Sequence, residues 1–196
     1  MIAAVGSMIT TRGRWAALLT LVALPVLAQF DHGAKGGTPY IPTPQVVVDQ
    51  MLQLARVGPN DYVVDLGAGD GRIVLTAVRD FKARGLGIEL DNNLVRFANQ
   101  LARDWKLATR ARFIEQDIFK VPLGDATVVT LYLLPDLMEK LKPKLLAELK
   151  PGTRIVSHDW GFADWPPDKT KTISVPDKSV GPRPESTLML WVVPPR

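Results

Sequence analysis

"VVDLGAGDGRIV", Val63 to Val74, is a β-branched run that ends in an aspartate and then breaks into three glycines spaced two apart. The unbroken apolar stretch from Tyr62 to Asp65 has the pattern of a strand covered on both faces. Glycines directly after it permit positive φ and let the backbone approach a ligand with no Cβ in the way. In an open α/β sheet the ligand lies beyond the carboxyl ends of the strands, near the point where strand order reverses. Gly67, Gly69 and Gly71 stand at such an end.

Strand and helix patterns alternate outward from this loop. Upstream, "TPQVVVDQMLQLARVGP" predicts a helix capped by Thr43, with Pro44 at its first position and Val47, Met51, Leu54 and Ala55 on one face. Gly58 and Pro59 are expected to end it. Downstream, residues 73–81 read as a helix and "GLGIEL" as a second strand. Leu94, Phe97, Ala98, Leu101, Ala102 and Trp105 recur at helical steps. "ARFIEQD", "ATVVTLYLLP" and "TRIVSHDW" give three more strands, with a helical stretch reset by Pro143 before the last of them. "TKTISVP" and "STLMLWVV" read as two closing strands. Each return to a parallel neighbour requires a crossover, so the alternation predicts an α/β fold with a sheet covered on both faces.

The loop's spacing and charge bear on the ligand. A dinucleotide fingerprint reads G-x-G-x-x-G, whereas this loop reads G-x-G-x-G with Asp65 and Asp70 beside it. At about 5 Å and an effective dielectric near 20, each unit-charge pair is worth roughly 3 kcal/mol. Two aspartates therefore oppose a pyrophosphate and favour a cation. S-adenosylmethionine carries an ammonium and a sulfonium, and it fits. Glu89 ends the second strand, about 24 residues beyond Asp65, where it can accept from both ribose hydroxyls. Asp117 follows the third strand, placed to accept from an adenine amino group while Ile118 covers the ring face. Any one of these acids alone reads equally well as a solvated loop residue or a helix cap. Three of them after three successive strands, beside a glycine loop, point to a nucleoside ligand.

"PYIPTP", "DLGAGDGRIV", "GIEL", "VVTLYLLP" and "KLKPKLLAELKPGTRIVSHDW" resemble the seven-strand, class I S-adenosylmethionine-dependent methyltransferases, from about Tyr40 to Trp165 and more weakly to the end. Within that superfamily they are similar to small bacterial methyltransferases of undefined substrate. More distantly they are similar to the non-SET protein-lysine methyltransferases, including the mitochondrial enzyme that modifies the membrane-ring protein of ATP synthase. The resemblance implies a three-layer sandwich with a mostly parallel seven-stranded sheet whose last strand is antiparallel. It also implies cofactor contacts from Asp65, Gly67, Gly69, Gly71 and Glu89. The Asn/Asp-Pro-Pro-aromatic motif of amino-group methyltransferases acting on nucleic acid or glutamine is "LYLLP" here, a departure that weakens those substrate classes.

Methyl transfer from a sulfonium is an in-line displacement, so the site mainly has to align the reactants in a dry cleft. A lysine acceptor must lose its proton, which an apolar, aromatic pocket promotes by desolvation. Tyr132 and Pro135 after the fourth strand, and His158, Asp159 and Trp160 after the fifth, are expected to line that pocket. Tyr40 is placed to close over the cofactor. Tyr132 and His158 are the candidate catalytic side chains, His158 being the one imidazole at a strand end. A structural histidine paired with Asp159 is the alternative. Trp160 and Trp165 read equally well as core or loop packing.

The chain has 196 residues, no cysteine and two histidines, so thiolate and histidine-rich metal sites are excluded and no metal is expected. The net charge is +4, too small an excess to predict a nucleic-acid partner. Arg12 and Arg14 precede the uncharged "WAALLTLVALPVLA", the layout of a secretory signal or membrane anchor over residues 1–28. Residues 29–39 read as a linker and 40–196 as the methyltransferase domain. Export to the periplasm or membrane association through that segment is expected, with a mitochondrial presequence as the alternative in a eukaryote. The expected acceptor is a protein lysine, with a small molecule next. A non-catalytic cofactor-binding module and a dinucleotide oxidoreductase are the competing classes.

Overall fold

The computed structural model describes residues 40–181 and 183–195, so the expected signal or anchor and the linker lie outside the described residues. Among the described residues no helix is long and apolar enough to cross a membrane. The elements run α1 (Gln45–Leu54), β1 (Tyr62–Leu66), α2 (Arg72–Arg79), β2 (Arg84–Glu89), α3 (Asn92–Asp104), β3 (Ala111–Glu115), β4 (Val128–Leu131), α4 (Pro135–Glu148), β5 (Arg154–His158), β6 (Lys169–Ser174) and β7 (Glu185–Val192).

The strands form one sheet in the order β3-β2-β1-β4-β5-β7-β6. β1 to β5 are parallel; β7 pairs antiparallel with both β5 and β6. Strand order reverses at β1, which has β2 on one side and β4 on the other. A crevice at that reversal is where ligands bind in such sheets.

Alternation along the strands sorts the core into layers. Val64, Leu66, Val129, Leu131 and Ile155 pack with Met138, Leu141 and Leu145 of α4. Val63, Val128 and Val156 face the other way, onto Val47, Val48, Met51 and Leu52 of α1 and Ile73 and Ala77 of α2. By the same alternation Asp65, Thr130 and His158 face the α1/α2 layer, where they are buried polar residues. α3 covers the β3 edge through Val95, Ala98 and Ala102.

Several local expectations are corrected. Thr43 does not cap α1: Pro44 holds the cap position with no side-chain hydrogen bond, and the Thr43 carbonyl instead accepts from Arg72. α1 stops at Leu54, short of Gly58, because Arg56 takes a left-handed φ of 51°. Pro143 lies inside a continuous α4 rather than dividing it. Trp105, expected on the packed face of α3, is 46% exposed at its C-cap, with the Arg79 guanidinium 5.3 Å from its ring centroid.

Asn99 locks α3 to the open edge of β3. Its amide nitrogen donates to the Phe113 carbonyl (2.8 Å) and its oxygen accepts from the Phe113 N–H (3.2 Å). Net hydrogen-bond contributions near 1 kcal/mol each predict that Asn99→Ala costs about 1–2 kcal/mol in urea unfolding. The loss matters for the site because the Phe113 ring fills the space beside Gly71.

Candidate functional site

The glycine loop is tied to the neighbouring strand before it turns. Gly67 and Ala68 both donate to the Ile88 carbonyl at 2.9 Å, and Gly71 donates back to Ala68. Gly67, Gly69 and Gly71 have φ of 84°, 54° and 83°, a region L side chains rarely adopt. Gly69 and Gly71 are glycine for a second reason. A Cβ on Gly69 would stand 2.6 Å from the Tyr40 ring, and one on Gly71 would stand 2.6 Å from the Phe113 ring. Tyr40 thus lies on the loop from the N-terminal side. Its hydroxyl is buried beside Asp70 and Arg72. Burial first, and then the charge of Asp70, raise that phenol's pKa.

The carboxylates divide by role. Asp65 is buried below the loop, 2% exposed; its Oδ1 accepts from Thr130 Oγ1 at 2.6 Å, while Oδ2 has no partner among the described residues. Burial pushes this carboxyl up to about 7 against the Thr130 hydrogen bond, with Glu89 and Asp70 adding to the rise. Glu89 is half-buried at the end of β2. One of its oxygens accepts from Gly69 N (2.8 Å), the other from Leu90 N (2.7 Å) and Asp91 N (3.0 Å). Asp70 departs from the expectation that it faces the ligand. The Arg72 guanidinium holds both its oxygens at 2.6–3.0 Å and anchors the Thr43 carbonyl at 2.8 Å. Among the described residues, the two carboxylates at the loop that no cation neutralises are therefore Asp65 and Glu89. Asp117 follows β3 and accepts from Phe119 N at 2.9 Å, with Lys120 Nζ 3.9 Å away. Ile118 is 9% exposed and joins the α4-side core.

At the ends of β4 and β5 the Tyr132 ring stacks on His158, centroids 4.0 Å apart and planes 29° apart. His158 is 1% exposed, and its Nε2 is 2.8 Å from Ser186 Oγ and 3.3 Å from Asp159 Oδ2. Burial is the main cause that pushes the imidazole down to about 4, so it is neutral at physiological pH and a weak base. Its Nδ1 is buried without a partner among the described residues. Asp159 has a φ of 62°, accepts from Thr187 N, and pairs with Lys178 Nζ at 2.7 Å. Trp160 is exposed, and Pro135 is the exposed first residue of α4. Trp165 belongs to a cluster with Phe162 and Trp191 instead, and its carbonyl accepts from the Trp191 indole at 2.8 Å.

Three things fit a cationic nucleoside cofactor: a buried carboxylate oxygen with no partner, a bare backbone turn above it, and a second carboxylate at the rim. Sequence reasoning missed Thr130, Arg72, Leu133, Lys178 and Ser186. Thr130 had a signal, a polar residue inside an apolar strand. Leu133 lies against Gly67, 3.0 Å from where a Cβ would stand.

Comparison with known proteins agrees with this geometry. The ANTKMT methyltransferase domain model matches residues 65–169. A protein-lysine N-methyltransferase of Saccharolobus islandicus (strain REY15A) is 41% identical over 79% of this chain and 93% of its own length. The adenine nucleotide translocase lysine N-methyltransferase of Mus musculus is 37% identical over 66% of this chain but only 56% of its own length, so the chain spans less than two thirds of that relative. A crystal structure of an RNA methyltransferase from Salinibacter ruber with S-adenosyl-L-homocysteine is 43% identical, with a TM-score of 0.72 over 80% of this chain and 95% of that one. The chain belongs to the ANTKMT methyltransferase domain family, and its sheet order and glycine loop are those of a class I, S-adenosylmethionine-dependent methyltransferase.

Proposed function

We propose that the chain methylates the side-chain amine of lysine in a protein acceptor. The observation that carries this reading is the 41% identity to a protein-lysine N-methyltransferase across 93% of that protein. The chemistry of the acceptor end supports it. Tyr132 is half-buried there, with Leu133 and a neutral His158 buried behind it, and such uncharged surroundings favour the free amine over the ammonium by desolvation.

When bound, S-adenosylmethionine supplies a methyl group on a positively charged sulfur. Asp65 and Glu89 are the residues that would hold it, the first through its unpartnered Oδ2 and the second through lone pairs not taken by the three backbone N–H groups. Tyr40 covers the loop and Arg72 fixes the segment that carries Tyr40, which together exclude water.

An RNA acceptor is the second reading, favoured by the description of the Salinibacter ruber protein. The "LYLLP" sequence after β4 argues against it, since it lacks the Pro-Pro-aromatic step that stacks a nucleobase. The two separate when tritiated methyl groups are transferred from S-adenosylmethionine into a cell lysate, followed by fractionation. Label is expected in protein, removed by proteinase but not by ribonuclease, and recovered as methyl-lysine after acid hydrolysis. Label confined to RNA or to small molecules sinks the lysine reading. No transfer despite tight cofactor binding would indicate a non-catalytic module.

A further inference from the structure

Asp159 sits between two basic groups. Its Oδ2 is 3.3 Å from His158 Nε2 and 2.7 Å from Lys178 Nζ, while Oδ1 accepts from Thr187 N at 2.9 Å. Lys178 comes from the connection between β6 and β7, and its side chain is only 10% exposed. Its ammonium also donates to the Glu185 carbonyl. A buried lysine is costly unless paired, so this one is placed for the carboxylate and does not merely drift beside it. The groups facing His158 are Asp159 on its own segment, Lys178 from the connection, Ser186 from β7 and the Tyr132 ring after β4. Asp159 and Lys178 act on it with opposite sign: the carboxylate favours a proton on the imidazole, and the ammonium disfavours one.

We infer that Lys178 is a positioning residue of the acceptor wall: by pairing with Asp159 it prevents that carboxylate from charging His158, so the imidazole stacked on Tyr132 stays neutral. The inference rests on the methyltransferase reading, because the benefit is specific to a cleft that receives a sulfonium and then an amine. An imidazolium in that wall would oppose the sulfonium and would remove the last free acceptor on the ring, Nδ1.

The test follows the imidazole C–H resonances of the full chain by NMR and measures cofactor affinity by calorimetry. In the wild type, His158 is expected to titrate near pH 4. In Lys178→Met its midpoint should rise by about one pH unit or more, and Lys178→Arg should restore it. The affinity ratio of S-adenosylmethionine to S-adenosylhomocysteine, which lacks the sulfonium charge, should then fall by up to about threefold relative to wild type at pH 4.5 and stay unchanged at pH 8. Taking the ratio cancels the ammonium that both ligands present to Asp65. Lys178→Met combined with Asp159→Asn should return both readouts to wild type, although it removes the ion pair altogether. An unmoved or lowered His158 midpoint in Lys178→Met overturns the inference, as does a double variant no better than the single one, which would make the pair a structural strut. If Lys178→Met does not fold, Asp159→Asn alone must lower the midpoint further, and a rise there overturns the inference too. Failure of the wild type to bind S-adenosylmethionine at pH 8 would instead strike the methyltransferase reading, independently of the His158 titration.

Discussion

Glu89→Gln is expected to weaken S-adenosylmethionine binding by at least about a hundredfold, measured by calorimetry at pH 8. The change looks conservative and is not. Both oxygens of Glu89 accept backbone N–H groups, Gly69 on one side and Leu90 with Asp91 on the other. A glutamine has one acceptor oxygen, so its amide N–H groups must face either the Gly69 donor or the Leu90/Asp91 pair. Either choice sets donor against donor at the base of the glycine loop. Hydrogen bonds to a charged acceptor are worth about 1.5–3 kcal/mol each, and two lost to the ribose hydroxyls alone amount to about 3–6 kcal/mol. Every 1.4 kcal/mol is tenfold in affinity. The loop also loses a tether, so the cofactor-free variant should melt at lower temperature than the wild type. Near-wild-type affinity in Glu89→Gln would mean that the cofactor does not lie along this side of the loop.

Glu89 was legible because position along a strand is legible. A carboxylate closing an apolar run in a parallel sheet stands at the ligand end, whatever its neighbours do. The same reasoning placed Asp65 and the glycines; alternation of strand and helix gave the five parallel strands, and strand patterning around a Pro- and Gly-rich connection gave the two closing ones. What fails to show in the sequence is who pairs with whom. Asp70 reads as a second acid beside the loop, yet Arg72, two residues on, takes both its oxygens. Arg72 reads only as the start of a helix, and nothing local says that its side chain folds back. Lys178 lies 19 residues beyond Asp159, in a stretch of prolines and glycines with no period to read, and antiparallel pairing through β7 brings the two together. The Thr43 cap failed for a related reason. Its carbonyl is held by Arg72 from another helix, a tertiary contact that a local capping rule does not see.

Asp65→Asn should separate stability from function. The folded pKa of Asp65 is raised to about 7 from an ordinary 3.8, mainly by burial. The folded state therefore holds this proton more tightly than the unfolded one. Its contribution is most favourable below pH 3.8, is lost progressively as pH rises to about 7, and is flat above that. A shift of this size corresponds to a cost of about 4 kcal/mol at pH 8 for keeping the carboxylate charged in the cofactor-free protein. Asparagine removes the charge and keeps an oxygen for the Thr130 hydroxyl, but leaves amide hydrogens without acceptors. The net expectation is a gain of about 2 kcal/mol at pH 8, seen as a rise of roughly 5 °C in the melting temperature of the cofactor-free variant, and little gain at pH 5. The bound ammonium compensates the wild-type carboxylate, so the affinity should change the other way. Wild-type binding should strengthen by up to about tenfold between pH 6 and pH 8, with release of a proton detected as a buffer-dependent heat, because the carboxyl must ionise to receive the ligand. Asp65→Asn should bind at least about tenfold more weakly at pH 8 and show neither the pH dependence nor the proton. A variant that is less stable than wild type at pH 8, together with pH-independent wild-type binding, would place the ligand's positive charge away from Asp65.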